Sequence, residues 1–117
     1  MSGAKSRRRG HDWEREIVRS LSELEHVEAE RTLDEPREGN VGDVRVNLPL
    51  SVQCKAGKRP RIYDAVQEAT EAAEPGEHPV AAVKRMNGRG KKADRLAIMR
   101  WSDFLEMVEL LRAMGGW

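Results

Sequence analysis

Residues 42–55 read Gly42-Asp43-Val44-Arg45-Val46-Asn47-Leu48-Pro49-Leu50-Ser51-Val52-Gln53-Cys54-Lys55, and their pattern decides the fold class. Residues 43–47 and 50–55 carry the alternation and β-branched content of strands. Asn47-Leu48-Pro49 is a short turn between them, so the pair is a hairpin. Successive strand side chains point to opposite faces. Leu50, Val52 and Cys54 therefore share an apolar face that seeks a core, and Ser51, Gln53 and Lys55 share the other. With the turn centred on Leu48, Asp43 falls opposite Gln53, where cross-strand Cβ atoms stand roughly 4.5–5.5 Å apart. Asp43, Gln53 and Lys55 are then expected on one face. A slip of one residue would scatter them, and a merely solvated polar face is the plain alternative.

Upstream of the hairpin, residues 10–25 have helical spacing of apolar side chains at Trp13, Ile17, Val18, Leu21 and Leu24. Glu14 projects within that stripe, and Glu16 outside it toward solvent. A carboxylate on a core-facing arc is costly unless a cation or hydrogen-bond donors compensate it. Reaching water at the stripe edge, or pairing with an arginine, is the plain reading of Glu14. Residues 26–33 alternate loosely and are ambiguous, with a strand as one reading. Asp34 to Gly42 is a loop, with Pro36, Gly39, Asn40 and Gly42.

Downstream, residues 62–74 form an alanine-rich helix stopped by Pro75 and Gly76. Residues 79–84 and 95–100 read as strands around a glycine- and lysine-rich loop. The last helix runs from Ser102 as N-cap to Met114, before Gly115-Gly116. Trp101 and Phe104 sit at core spacing with Val108 and Leu111, or line a dimer interface. The order α-β-β-β-α-β-β-α predicts an α/β (α+β-like) fold, a mixed sheet flanked by helices. Residues 1–9 read as a flexible basic arm and 10–117 as one domain.

Charged residues make up 35% of the 117-residue chain, yet its net charge is only +1. The charges are segregated. Basic residues gather in Lys5–Arg9, Lys55–Arg61 and Lys84–Arg95, and acidic ones in Glu23–Glu38 and Asp64–Glu77. Such segregation can make one positive face on a nearly neutral protein, against the plain reading of ordinary solvated surface. One cysteine excludes an intrachain disulfide and suits a reducing cytoplasm. No apolar run approaches the roughly 20 residues that a membrane span needs, so a cytoplasmic protein is expected. His11, His26 and His78 lack metal-ligand spacing with Cys54, so no zinc site is expected. Cys54 is expected in the core rather than as a nucleophile. Three Trp, one Tyr and one Phe, none interleaved with the basic runs, argue against a platform for stacking single-stranded bases.

Two carboxylates, an amide oxygen and a lysine suit a Mg²⁺ centre, because Mg²⁺ prefers oxygen ligands and keeps several waters. Phosphodiester hydrolysis needs a cation on the phosphate, an activated water and stabilised transition-state charge. Asp43 would ligate the metal, with Gln53 through its carbonyl oxygen and Glu14 directly or through water. Lys55 would position or help deprotonate the attacking water, or stabilise the pentacovalent charge.

These residues carry a resemblance. Gly10-His11-Asp12-Trp13-Glu14-Arg15-Glu16-Ile17-Val18 resembles the first helix of Holliday junction resolvases of the archaeal and phage type. Gly42-Asp43, followed by Val52-Gln53-Cys54-Lys55, looks like their catalytic core, and residues 79–85 and 95–107 look like the closing strands and helix of phage-type members. The resemblance spans about residues 5–112. It implies a PD-(D/E)xK restriction-endonuclease-like core, dependence on Mg²⁺ (Mn²⁺ substituting), a homodimer, and symmetric nicking of branched double-stranded DNA at four-way junctions, in the host cytoplasm if phage-encoded. It carries Glu14, Asp43, Gln53 and Lys55 over as the catalytic set, with Glu14, Asp43 and Gln53 on the metal. It also places Gln67 near the site, where a plain surface glutamine is the other reading.

Gln53 departs from the usual glutamate and removes one negative charge. That leaves open another PD-(D/E)xK nuclease, restriction-like or nicking, and a catalytically impaired DNA-binding module of the same fold. Arg7, Arg8, Arg9, Arg31, Arg37, Lys58, Arg59, Arg61, Arg89, Lys91 and Lys92 are the candidate phosphate contacts. Ordinary surface is the alternative for each.

Overall fold

A computed structural model describes residues 3–32 and 43–115, with side chains from Arg7 onward. Among them are three helices and five strands in the order α1 (Gly3–Ser22), β1 (Ala29–Arg31), β2 (Val44–Val46), β3 (Leu50–Gly57), α2 (Ile62–Ala72), β4 (His78–Arg85), β5 (Asp94–Ile98) and α3 (Trp101–Ala113). This is the element order read from the sequence. The strands form one mixed sheet in spatial order β1-β2-β3-β4-β5. Its pairs are antiparallel except β3–β4, which run parallel. A parallel pair needs a crossover, and α2 supplies it.

The helices cover both sheet faces, so β3 is buried on both sides. On one face Trp13 packs with Val44, Val52, Cys54 and Ala82, flanked by Ile17, Val18, Leu21, Ala29 and Leu50. Here the apolar stripe of α1 meets the apolar side of the hairpin. Trp13 Nε1–H donates to the Ala82 carbonyl at 2.8 Å, so the indole brings its polar edge into the core satisfied. On the other face Ala65 and Val66 of α2 pack on Ala81 and Val83 of β4, with Ile98 beside them. The small side chains of α2 let its backbone approach closely enough for Ser51 Oγ to donate to the Ala69 carbonyl at 2.8 Å.

Three local expectations are corrected. From Gly3 onward the expected arm is the first turns of α1, because Ala, Lys and Arg are good helix formers and need no core to extend a helix already anchored by Trp13. The last helix begins at Trp101, with Arg100 rather than Ser102 as its N-cap and no side-chain cap. Trp101 and Phe104 do not enter the core; they are 71% and 42% exposed and stack on each other at 5.3 Å. The loop Asp34–Gly42, with Arg37, lies outside the described residues, as does Trp117.

Candidate active site

The hairpin register is centred on Leu48, since Val44 pairs with Val52. Asp43 departs from the simple ladder. Its N–H also goes to the Val52 carbonyl, at 2.9 Å, so two consecutive residues address one, as in a β-bulge. A bulge re-aims a side chain, and the Asp43 carboxylate accepts the backbone N–H of Cys54 at 2.9 Å. Asp43 thus reaches β3 between Gln53 and Lys55 rather than squarely against Gln53.

Glu14 arrives from α1, as its place in the apolar stripe implied. The cation that compensates it is Arg31 of β1, whose Nε donates to Glu14 Oε1 at 3.0 Å. Their side chains are 15% and 11% exposed. Arg31, expected as a phosphate contact or as plain surface, is instead the near-buried partner of a near-buried carboxylate. Its Nη2 is shielded from solvent and has no hydrogen-bond partner. Burial holds the Cys54 thiol well above the usual thiol range, and the charges of Asp43 and then Glu14 add to this while Arg31 opposes it. So both carboxylates and the guanidinium lie within electrostatic reach of Cys54, and the thiol there is no nucleophile.

Gln53 and Lys55 share the β3 face of Ser51, toward α2. Gln53 is buried. Lys55 Nζ lies 3.0 Å from Glu68 of α2. Sequence reasoning passed over Glu68 and favoured Gln67. Gln67 is one residue, about 100°, further round the helix and instead accepts from Arg100 Nη2 at 2.7 Å. A signal for Glu68 existed: it lies three residues after Ala65 and four before Ala72, both buried, which puts it beside the sheet-facing stripe. Expected on one face, Asp43, Gln53 and Lys55 are parted: Asp43 turns to the Cys54 N–H near the Glu14–Arg31 pair on the α1 side, while Gln53 and Lys55 face α2 across the sheet.

Glu16 is corrected as well. It does not face solvent but bridges Lys84 (2.9 Å) and Arg95. The hydrogen bond from Arg95 holds its carboxyl below the ordinary range; burial opposes this, and Lys84 adds to it.

The basic segments, scattered in sequence, meet at one end of the sheet. Gly57, the last residue of β3, pairs with Arg85, the last of β4. A Cβ added at Gly57 would stand 4.0 Å from Arg9 Nη1, so the α1 guanidinium lies over that strand end. Arg7, Arg8, Lys58, Arg59 and Arg85 are all exposed. Arg61, Arg89, Lys91 and Lys92 are exposed too. Elsewhere in the fold, His78 of β4 lies close to Asp103 and Glu106 of α3, a grouping that the histidine spacing did not suggest. No helix among the described residues is long and apolar enough to cross a membrane. Comparison with protein-family models, with curated proteins and with solved structures finds no match to this chain.

Proposed function

We propose that the chain is a metal-dependent DNA endonuclease of the PD-(D/E)xK type, acting on branched double-stranded DNA such as a four-way junction. The observation that carries this reading is a juxtaposition. Asp43 and the Glu14–Arg31 pair gather at Cys54 of β3, Lys55 follows on the opposite, α2, side of the strand, and three separate basic segments converge where β3 and β4 end. A phosphodiester lying on that basic end would be adjacent to the acidic centre. The first turns of α1 carry Arg7, Arg8 and Arg9 and no acidic residue. Cations at a helix N-terminus oppose the helix dipole, and a bound phosphate relieves both.

The donor types that fit Mg²⁺ are the two carboxylates near Cys54 on the α1 side; the Gln53 amide lies on the other face of β3. Asp43 and Glu14 would hold the ion, which would supply charge for a phosphate oxygen and acidify a water. Within the chain Arg31 compensates Glu14. Lys55, held by Glu68 on the α2 side, would add positive charge near the strand end to stabilise developing charge. Gln53, buried on the α2 side of β3, would not join Glu14 and Asp43 on that ion.

A second copy belongs to this reading, since symmetric nicking needs two centres. The stacked Trp101–Phe104 pair, beside the sheet-edge strand β5, supplies an exposed apolar surface for one. The test is cleavage of a labelled synthetic four-way junction, against a matched linear duplex, by wild type and Asp43→Ala. Paired nicks with Mg²⁺, lost in Asp43→Ala with binding retained, are expected. Tight junction binding with no product in Mg²⁺ or Mn²⁺ would leave a DNA-binding module instead.

A further inference from the structure

The opposite end of the β3–β4 pair carries a second group of ionisable side chains. His78 opens β4 opposite Leu50 of β3, and its backbone N–H donates to the Pro49 carbonyl at 2.8 Å. By alternation its imidazole is on the face of Val80 and Ala82. Asp103 and Glu106, three residues apart on α3, share one face of that helix. One donor atom from each of the three lies within 4.8 Å of the other two.

The imidazole is only 9% exposed. Its Nδ1 is shielded from solvent and has no hydrogen-bond partner, a state that buried polar atoms rarely keep. Glu106 Oε2 stands 3.9 Å from Nδ1. That is too long for a hydrogen bond, which would need about 2.7–3.2 Å. It is within the span of two ligands on one ion: atoms each about 2.0–2.2 Å from a shared zinc-like centre stand about 3.4 Å apart at the tetrahedral angle and at most about 4.4 Å apart.

We propose that His78, Asp103 and Glu106 bind one divalent transition-metal ion of the Zn²⁺ class. The imidazole nitrogen selects such an ion over Mg²⁺, and three protein ligands leave a position for water or a further ligand. The ion ties α3 to β4. That matters because α3 has no buried residue of its own, whereas α2 seats four. This inference does not depend on the nuclease reading, and its test measures binding, not cleavage.

The full chain, stripped with a chelator, is titrated with Co²⁺ and then Zn²⁺. The expected result is one ion per chain, Co²⁺ absorption bands displaced by Zn²⁺ but not by excess Mg²⁺, and a melting temperature raised by Zn²⁺. Glu106 is 65% exposed, so Glu106→Gln should fold normally, lose about tenfold or more in Zn²⁺ affinity, and lose the thermal shift. His78→Asn should lose binding too. His26→Ala, at an exposed histidine, should bind as wild type does. Absence of stoichiometric binding, or wild-type affinity in both Glu106→Gln and His78→Asn, overturns the proposal, as does loss of binding in His26→Ala.

Discussion

The two ends of the parallel pair β3–β4 are built from the same strands and carry opposite chemistry. Where Gly57 pairs with Arg85, cations from α1, from the residues after β3 and from β4 gather at the surface, and the carboxylates beneath them are compensated by Arg31 and Lys55 and, further along, by Lys84 and Arg95. Where Leu50 pairs with His78, two carboxylates close on an imidazole whose inward nitrogen has no partner. The formal net charge of +1 thus conceals the concentration of cations at one end. The difference bears on ligands: the first end suits a polyanion, the second a single small cation.

The largest effect that could break this comparison is a double separation of the two ends. Asp43→Ala should lower junction cleavage at least about 10³-fold, roughly 4 kcal/mol of barrier, and leave Zn²⁺ binding at the other end unchanged. Glu106→Gln should do the reverse, with cleavage rates within about twofold of wild type. The paired measurements are single-turnover nicking and Zn²⁺ titration on each variant. If either substitution disables both ends, the ends are coupled through the sheet and are not separate sites.

Next in size is the contribution of the basic rim. The triple substitution Arg8→Ala, Lys58→Ala, Arg59→Ala removes three exposed cations. Junction affinity should fall on the order of tenfold at moderate salt. The slope of log affinity against log salt should shrink by up to about 2.7, since each phosphate contact contributes about 0.9. An unchanged slope would remove these residues from the phosphate path and leave the basic end as ordinary solvated surface.

The sequence disclosed the order of the elements because periodicities of two and 3.6 alternate clearly between Trp13 and Met114. It also put Glu14 on the core-facing arc, where the plain reading of an arginine partner holds, and the hairpin centre assumed at Leu48 agrees with the Val44–Val52 pairing. The compensating partner was not legible. Arg31 sits in a three-residue strand whose weak alternation could not fix its facing, so it read as a phosphate contact or as surface. The Asp43 bulge was hidden because bulges insert no marker residue here. Glu16 was misplaced because a helix wheel knows only its own helix, whereas Lys84 and Arg95 come from strands roughly seventy residues away. The His78 group escaped for the same reason: histidine spacing in sequence says nothing of a helix folded back from the end of β5.

Both ends hang on the anchoring of α1, and Trp13→Phe sharpens that point. Phenylalanine keeps most of the apolar contact with Val44, Val52 and Cys54 but leaves the Ala82 carbonyl without its indole donor. The expected loss is about 1–3 kcal/mol, from the unmade buried hydrogen bond and the volume removed, read as a lower denaturation midpoint with unchanged slope. The basic end should suffer more than the acidic one, because α1 carries Arg7–Arg9 and Glu14 but no residue of the His78 group.

The smallest expected effect tests how α1 is held at the basic end. Glu16 joins α1 to β4 and β5 through Lys84 and Arg95, and its carboxyl titrates below the ordinary glutamate range in the folded chain. A depressed folded-state value means that the folded form favours the ionised carboxylate more than the unfolded form does. The resulting stability is present above the unfolded value and is lost as the pH falls through the folded one. Glu16→Gln lacks that contribution at every pH. At pH 7 it should be less stable than wild type by about 1 kcal/mol or less, the range of partly exposed pairs. In acid, below the ordinary glutamate range, the two proteins should converge. Denaturation at a series of pH values reads the difference directly. A gap that persists at low pH would mean that Glu16 acts through packing rather than charge, and that the basic end is not fastened to α1 by this bridge.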